Sequence, residues 1–118
     1  MPLTTEKIAQ LTARAALDKK AQNVLILDIS GLSVIADFFV ICSGNSETHV
    51  QAVTDGVAKA VKEAGITIRG MEGRAGARWV LMDLGDVVVH IFHKDERDFY
   101  NIERLWADAQ RVERLTTS

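Results

Sequence analysis

The residues best suited to chemistry are Ser43-Gly44-Asn45-Ser46-Glu47, a glycine turn that leaves an apolar run and enters a helical one. The free backbone N–H groups of such a turn can hold an anion. Phosphoryl chemistry there would also need closely spaced carboxylates on a neighbouring strand to hold Mg²⁺. No Asp-x-Asp or Asp-x-Glu follows on a strand; Asp28, Asp37 and Asp55 are isolated, and Glu47 would repel a phosphate. A turn followed by a Ser46 helix cap accounts for the stretch. Asp83 and Asp86 bracket a second turn, where Asp serves the backbone without a metal. His90 and His93 straddle a strand end, which is not a zinc-ligand spacing. His90 alternates with Val88 and Phe92 and reads as a hydrogen-bonded, partly buried histidine, His49 as a surface one. Cys42, the single cysteine, lies in an apolar run with no motif of a nucleophile and reads as inert core. The pattern implies no catalytic residue, metal or cofactor.

The elements that position these groups centre on residues 78–100, RWVLMDLGDVVVHIFHKDERDFY. Two β-branched and aromatic runs, Trp79–Asp83 and Val87–Phe92, flank Leu84-Gly85-Asp86 and predict a hairpin. Alternation puts Trp79, Leu81 and Asp83 on one face and Val80 and Met82 on the other. One face must cover the core; the face with Trp79 flanked by charge is expected to carry function.

In chain order, Thr4 or Thr5 caps a first helix with Glu6 in its first turn and a narrow stripe of Ile8, Leu11 and Ala15. Leu17 lies off that stripe, where it is a second contact or a lone exposed Leu. Residues 23–29 and 37–43 are apolar at nearly every position, as in strands covered on both faces. A second helix follows from Ser46 to about Ala64, with Val50, Val53, Val57 and Val61 as its core stripe and Gly65 as its stop. A weaker strand is expected at 66–70, and the three-glycine segment 70–77 reads as a mobile loop. Asp98 caps a last helix with Phe99, Ile102, Trp106 and Ala109 on one side, and the tail from Leu115 is frayed. The order predicts an α/β fold, one domain over 1–118, with a mixed sheet of about five strands packed with three helices.

At 118 residues, 47% hydrophobic and 25% charged, the chain has ordinary globular composition. A net charge of −2 argues against general electrostatic binding of nucleic acid. One cysteine, no membrane-length apolar run and no leader pattern in MPLTTEK point to the cytoplasm. Surface recognition remains. Residues 82–103 hold six acids and two bases, a local net of −4 beside Trp79 and Tyr100. Aromatic anchors in an acidic surround suit a basic protein partner. The competing reading makes the aromatics core and the acids a solvated face.

A set of ordered motifs spans nearly the whole chain: Asp28-Ile-Ser30, Ala36-Asp37-Phe-Phe-Val-Ile41, Gly44-Asn-Ser46, Glu72-Gly73, Trp79–Asp83, Gly85–Phe92, Arg97-Asp-Phe-Tyr100 and Glu103-Arg-Leu-Trp106. Together they resemble the ribosomal silencing factor family, RsfS or Iojap. The resemblance implies a nucleotidyltransferase-like fold that has lost its catalytic carboxylates. It implies a factor, not an enzyme, that binds large-subunit ribosomal protein fourteen and sterically blocks joining of the small subunit, repressing translation under nutrient limitation. Carried over to this sequence, the partner face comprises Glu72, Trp79, Leu81, Asp83, Asp86 and Tyr100, with Trp79 as anchor. A minor contact to ribosomal RNA through Arg69, Arg74 and Arg78, and a homodimer of the free protein, are further expectations. Two other classes stay open on the residues alone: a nucleotide-binding or nucleotidyltransferase-type enzyme, and an RNA-binding accessory module.

Overall fold

Two strands without charge or glycine in their middles dictate the centre of the molecule. In the computed structural model, which describes residues 3–32 and 34–96 and the backbone of 110–115, β1 (Gln22–Asp28) and β2 (Phe38–Gly44) pair antiparallel, and every residue of β2 is buried. β2 in turn pairs in parallel with β5 (Val87–His93), residue for residue from Phe38↔Val87 to Gly44↔His93. Parallel neighbours need a long crossover. Here it consists of α2 (Glu47–Glu63), β3 (Gly70–Glu72) and β4 (Trp79–Asp83). The mixed sheet runs β3-β4-β5-β2-β1-β6, with all pairs antiparallel except β2 with β5.

The first two helices form one layer. α1 (Thr5–Asp18) starts where the Thr4 side chain accepts the Lys7 N–H, and α2 where Ser46 accepts that of His49. Val50, Val53, Val57 and Val61 bury the expected stripe of α2, and Gly65 follows its end at φ +80°. α1 buries Ala9, Thr12, Ala13, Ala15 and Ala16; Ile8, Leu11 and Leu17 are half-buried against the same core. Leu17 is thus a packing residue, because a row of alanines lets the helix settle deeply enough to bring its flank into contact. Beneath the helices lie Val24, Ile26, Val40, Cys42, Val80, Met82, Val89 and Ile91. Each such side chain, fully buried, contributes roughly 1.5–3 kcal/mol.

The opposite face holds a second cluster: Leu25, Leu27, Ile29, Ala36, Phe39, Ile41, Val88 and Phe92, with Trp79 and Leu81 half-buried against it. The sheet therefore has apolar packing on both faces. The hairpin face expected to be open is open only along β4; Val88, His90 and Phe92 on β5 are buried.

Three elements differ from expectation. The weaker strand lies at Gly70–Glu72 instead of 66–70, because Gly70, Met71 and Glu72 find Asp83, Met82 and Leu81 as partners. The glycine segment after it is tied down. Arg74 grips Asp55 of α2 with two hydrogen bonds (2.9 and 2.7 Å), and Gln51 donates to the Arg74 carbonyl. A sixth strand, β6 (Gln110–Leu115), pairs antiparallel with β1 where no strand was expected. Residues 94–96 are already helical, ahead of the start expected at Asp98; the rest of the expected last helix, with Asp98, Phe99, Ile102, Trp106 and Ala109, lies outside the described residues.

Gly73 decides where β4 begins. Its φ is +85°, and a Cβ there would stand 2.2 Å from the Trp79 carbonyl oxygen, so backbone meets backbone with no room for a side chain. Gly73→Ala is expected to lower unfolding free energy by about 2 kcal/mol or more, from left-handed strain plus overpacking. Denaturant unfolding followed by circular dichroism checks this.

Candidate docking face

The face is assembled by cross-strand register. Glu72 on β3 stands opposite Leu81 on β4, Leu81 opposite His90 on β5, and Ile41 of β2 is the next neighbour. One step along, Trp79 stands opposite Phe92. Period-two alternation puts all of these on the side away from the helices. Glu72, Gly73, Trp79 and Leu81 line a shallow groove of about 340 Å³. It offers a half-buried indole and an isobutyl group beside an exposed carboxylate.

Trp79 is held from beneath. Its ring stacks on Phe92 with centroids 4.9 Å apart, and its indole N–H donates to His90 Nδ1 at 3.1 Å. Phe39 meets the same imidazole edge-on at 4.5 Å. Indole N–H can only donate, so Nδ1 must accept, and the proton of neutral His90 sits on Nε2. That buried Nε2 has no hydrogen-bond partner among the described residues. Burial pushes the His90 pKa down from 6.5 to about 4, because a charged imidazole in this apolar aromatic setting loses its hydration. A neutral acceptor beneath Trp79 fixes the indole in one orientation and leaves part of the ring to the groove.

The sequence-derived site residues divide. The structure brings Glu72, Trp79 and Leu81 together on the groove. Asp83, half-buried, accepts the Gly85 N–H at 2.8 Å through Oδ1, so one carboxylate oxygen serves the turn. Asp86, exposed in the same turn, contributes its carbonyl to the N–H groups of Asp37 and Phe38 (2.8 and 3.1 Å). These two acids sit at the far end of β4 from Trp79. Tyr100 lies outside the described residues. The orienting role of His90 escaped the sequence reading, although its place two residues before Phe92 signalled the right face.

Other candidates resolve into structure. Arg74 pairs with Asp55, whose pKa is lowered first by that hydrogen bond, and Arg78 pairs with Glu96 at 2.8 Å. The Arg69 guanidinium lies over Gly85. The three arginines therefore serve separate contacts and do not form one open basic face. His49, expected at the surface, bridges two elements: Nδ1 accepts the Asn45 N–H and Nε2 meets the Lys19 carbonyl, both at 2.8 Å. It ties the glycine turn to the end of α1. Among the described residues no three His, Cys, Asp or Glu side chains gather as a metal set, and no helix is long and apolar enough to cross a membrane.

The buried imidazole makes stability pH-dependent. Its folded pKa lies below the unfolded value, so the unfolded chain takes up this proton first. Stability from this group is intact above pH 6.5 and falls as pH drops toward 4, by up to about 3 kcal/mol. Urea midpoints between pH 7 and pH 4 should fall for the parent protein. His90→Phe should flatten that part of the curve.

Comparison with known proteins agrees with this architecture. The family model described as "Ribosomal silencing factor during starvation" (RsfS) matches residues 2–118. The ribosomal silencing factor RsfS of Halalkalibacterium halodurans is 54% identical over 111 residues, 94% of this chain and 95% of its own. The chloroplastic protein Iojap of Zea mays is 30% identical over 86% of this chain and 44% of its own length. A crystal structure of a Chromobacterium violaceum protein superposes with a TM-score of 0.87 at 34% identity, covering 98% of this chain and 97% of that one. A family model matched from residue 2 to residue 118, and a relative 54% identical over nearly the whole of both chains, place this chain in the ribosomal silencing factor (RsfS) family.

Proposed function

We propose that this protein docks on the large ribosomal subunit through ribosomal protein fourteen and thereby keeps the small subunit from joining, repressing translation under nutrient limitation. The family description supports a regulatory, ribosome-associated factor. The observation that carries the docking reading is the groove of Glu72, Gly73, Trp79 and Leu81. An aromatic ring already oriented by His90 and Phe92 loses little conformational entropy on burial, which is what an interface anchor requires. Glu72 beside it, with Asp83 and Asp86 further along, suits Lys and Arg side chains of a ribosomal protein. Tyr100 belongs to the same proposed contact. The mechanism is occupation of a surface, with no bond made or broken. Contacts to ribosomal RNA are secondary in this reading, and a homodimer of the free protein would have to open wherever it covers the groove.

Sucrose-gradient sedimentation of purified subunits at fixed magnesium tests the proposal. Comigration with the large subunit and loss of the joined ribosome is the expected result; normal joining without comigration would overturn it. Glu72 is exposed, so Glu72→Lys should leave the fold intact while slowing association with purified ribosomal protein fourteen several-fold at low salt. That difference should shrink as salt screens the charge. Stopped-flow association rates at two ionic strengths provide the check.

A further inference from the structure

The described residues concentrate their apolar exposure in one place. Leu32 (47% exposed), Val34 (fully exposed) and Ile35 (74%) lie within four residues of the β1–β2 connection; Leu3, at 38%, stands just ahead of α1. Single exposed apolar side chains need no explanation, but three on one loop make a patch.

The ends of this loop are held firmly. Ser30 donates its N–H to Asp28 Oδ1 at 3.0 Å, Leu32 to the Ile29 carbonyl at 2.9 Å, and Ile29 to the Asp37 carbonyl at 2.8 Å. Asp37 and Phe38 both donate to the Asp86 carbonyl, clamping the loop to the β4–β5 turn. Ile29 and Ala36, on either side of the patch, are buried in the second-face cluster with Phe39 and Val88. A frame already ordered has little further entropy to lose when a partner covers it.

Charge indicates which partner. Asp28 and Asp37 stand at the loop's two ends and Asp86 touches it, whereas no Lys or Arg occurs between Lys20 and Lys59. An apolar patch with an acidic rim fits a basic surface with an apolar hollow. A second copy meeting it face to face would bring one acidic rim against another, with no Lys or Arg on the loop to offset it, which disfavours self-association there. The patch also continues the proposed docking face, through Asp86 and Asp83. β4 spans about 13 Å from Asp83 to Trp79, and a standard interface is roughly 30 Å across on each partner. One partner can cover both ends.

We propose that Leu32, Val34 and Ile35 form a second docking point for the same basic protein partner that meets Trp79 and Leu81. This rests on the docking reading above, and the experiment separates the two. The probe is purified ribosomal protein fourteen, titrated by calorimetry into the parent protein, Val34→Asp, the double variant Val34→Asp/Ile35→Asp, and Trp79→Ala. Unfolding midpoints are measured alongside; because Val34 is fully exposed, Val34→Asp should keep the fold even if the double variant does not. Weakening of about tenfold or more by the double variant, with a clear loss for Val34→Asp alone, is the expected result. Parent-like affinity in the loop variants with binding lost in Trp79→Ala would overturn the second docking point and leave the docking reading standing. No binding by the parent protein would overturn both. Sedimentation equilibrium showing a parent dimer that the loop variants dissociate, at unchanged affinity for the ribosomal protein, would assign the loop to a second copy and also overturn the proposal.

Discussion

The parallel pairing of β2 with β5 is the constraint on which the remaining geometry depends. Seven consecutive partners lock two strands buried at every residue side by side, and a parallel pair forbids a tight turn between them. The chain must leave β2, travel and return. It spends that excursion on α2, which covers one face, and on β3 and β4, which extend the sheet beyond β5. β4 is therefore placed where its Val80 and Met82 reach the helix-side core while Trp79 and Leu81 reach the other face. The groove results from topology as much as from its own residues.

Trp79 carries two duties that pull in different directions. Its stacking on Phe92 and its bond to His90 stabilise the second-face cluster, and both favour deeper burial. A docking surface needs the ring accessible. The half-buried position reconciles them, and Gly73 sets its depth by letting backbone approach backbone at Trp79. His90 Nε2, without a partner among the described residues, is the local cost of that arrangement, since a buried donor without an acceptor forfeits about 1–3 kcal/mol.

Much of this was legible in the sequence because the relevant signals are local. Ser46 as a cap, the valine stripe of α2 and the turn at Gly85 each follow from one residue's geometry or one period. So does the face shared by Trp79, Leu81 and Asp83, although its burial does not. Alternation assigns residues to a face but cannot say that Val88, His90 and Phe92 are covered there. β3 moved because strand pairing is settled by the partner's register, and 66–70 has no way to announce that Leu81 awaits Glu72. β6 escaped for the same reason: QRVERL is a charged run whose pairing with β1 depends on a neighbour more than eighty residues earlier. The bridge made by His49 is likewise invisible without knowing that the end of α1 lies alongside.

The brevity of β3 has a consequence for how this sheet meets other chains. A sheet edge is an open row of hydrogen-bond donors and acceptors that any extended segment can join, including a strand of an identical molecule. At the β4 side that row is only Gly70, Met71 and Glu72, ending in an exposed acid and a glycine that turns the chain away. An incoming strand gains few ladder bonds there and meets a negative charge at its end. Recognition on this side is thereby left to side chains presented from the flat of the sheet, where shape and charge discriminate between partners. Backbone pairing, which accepts almost any sequence, has little foothold.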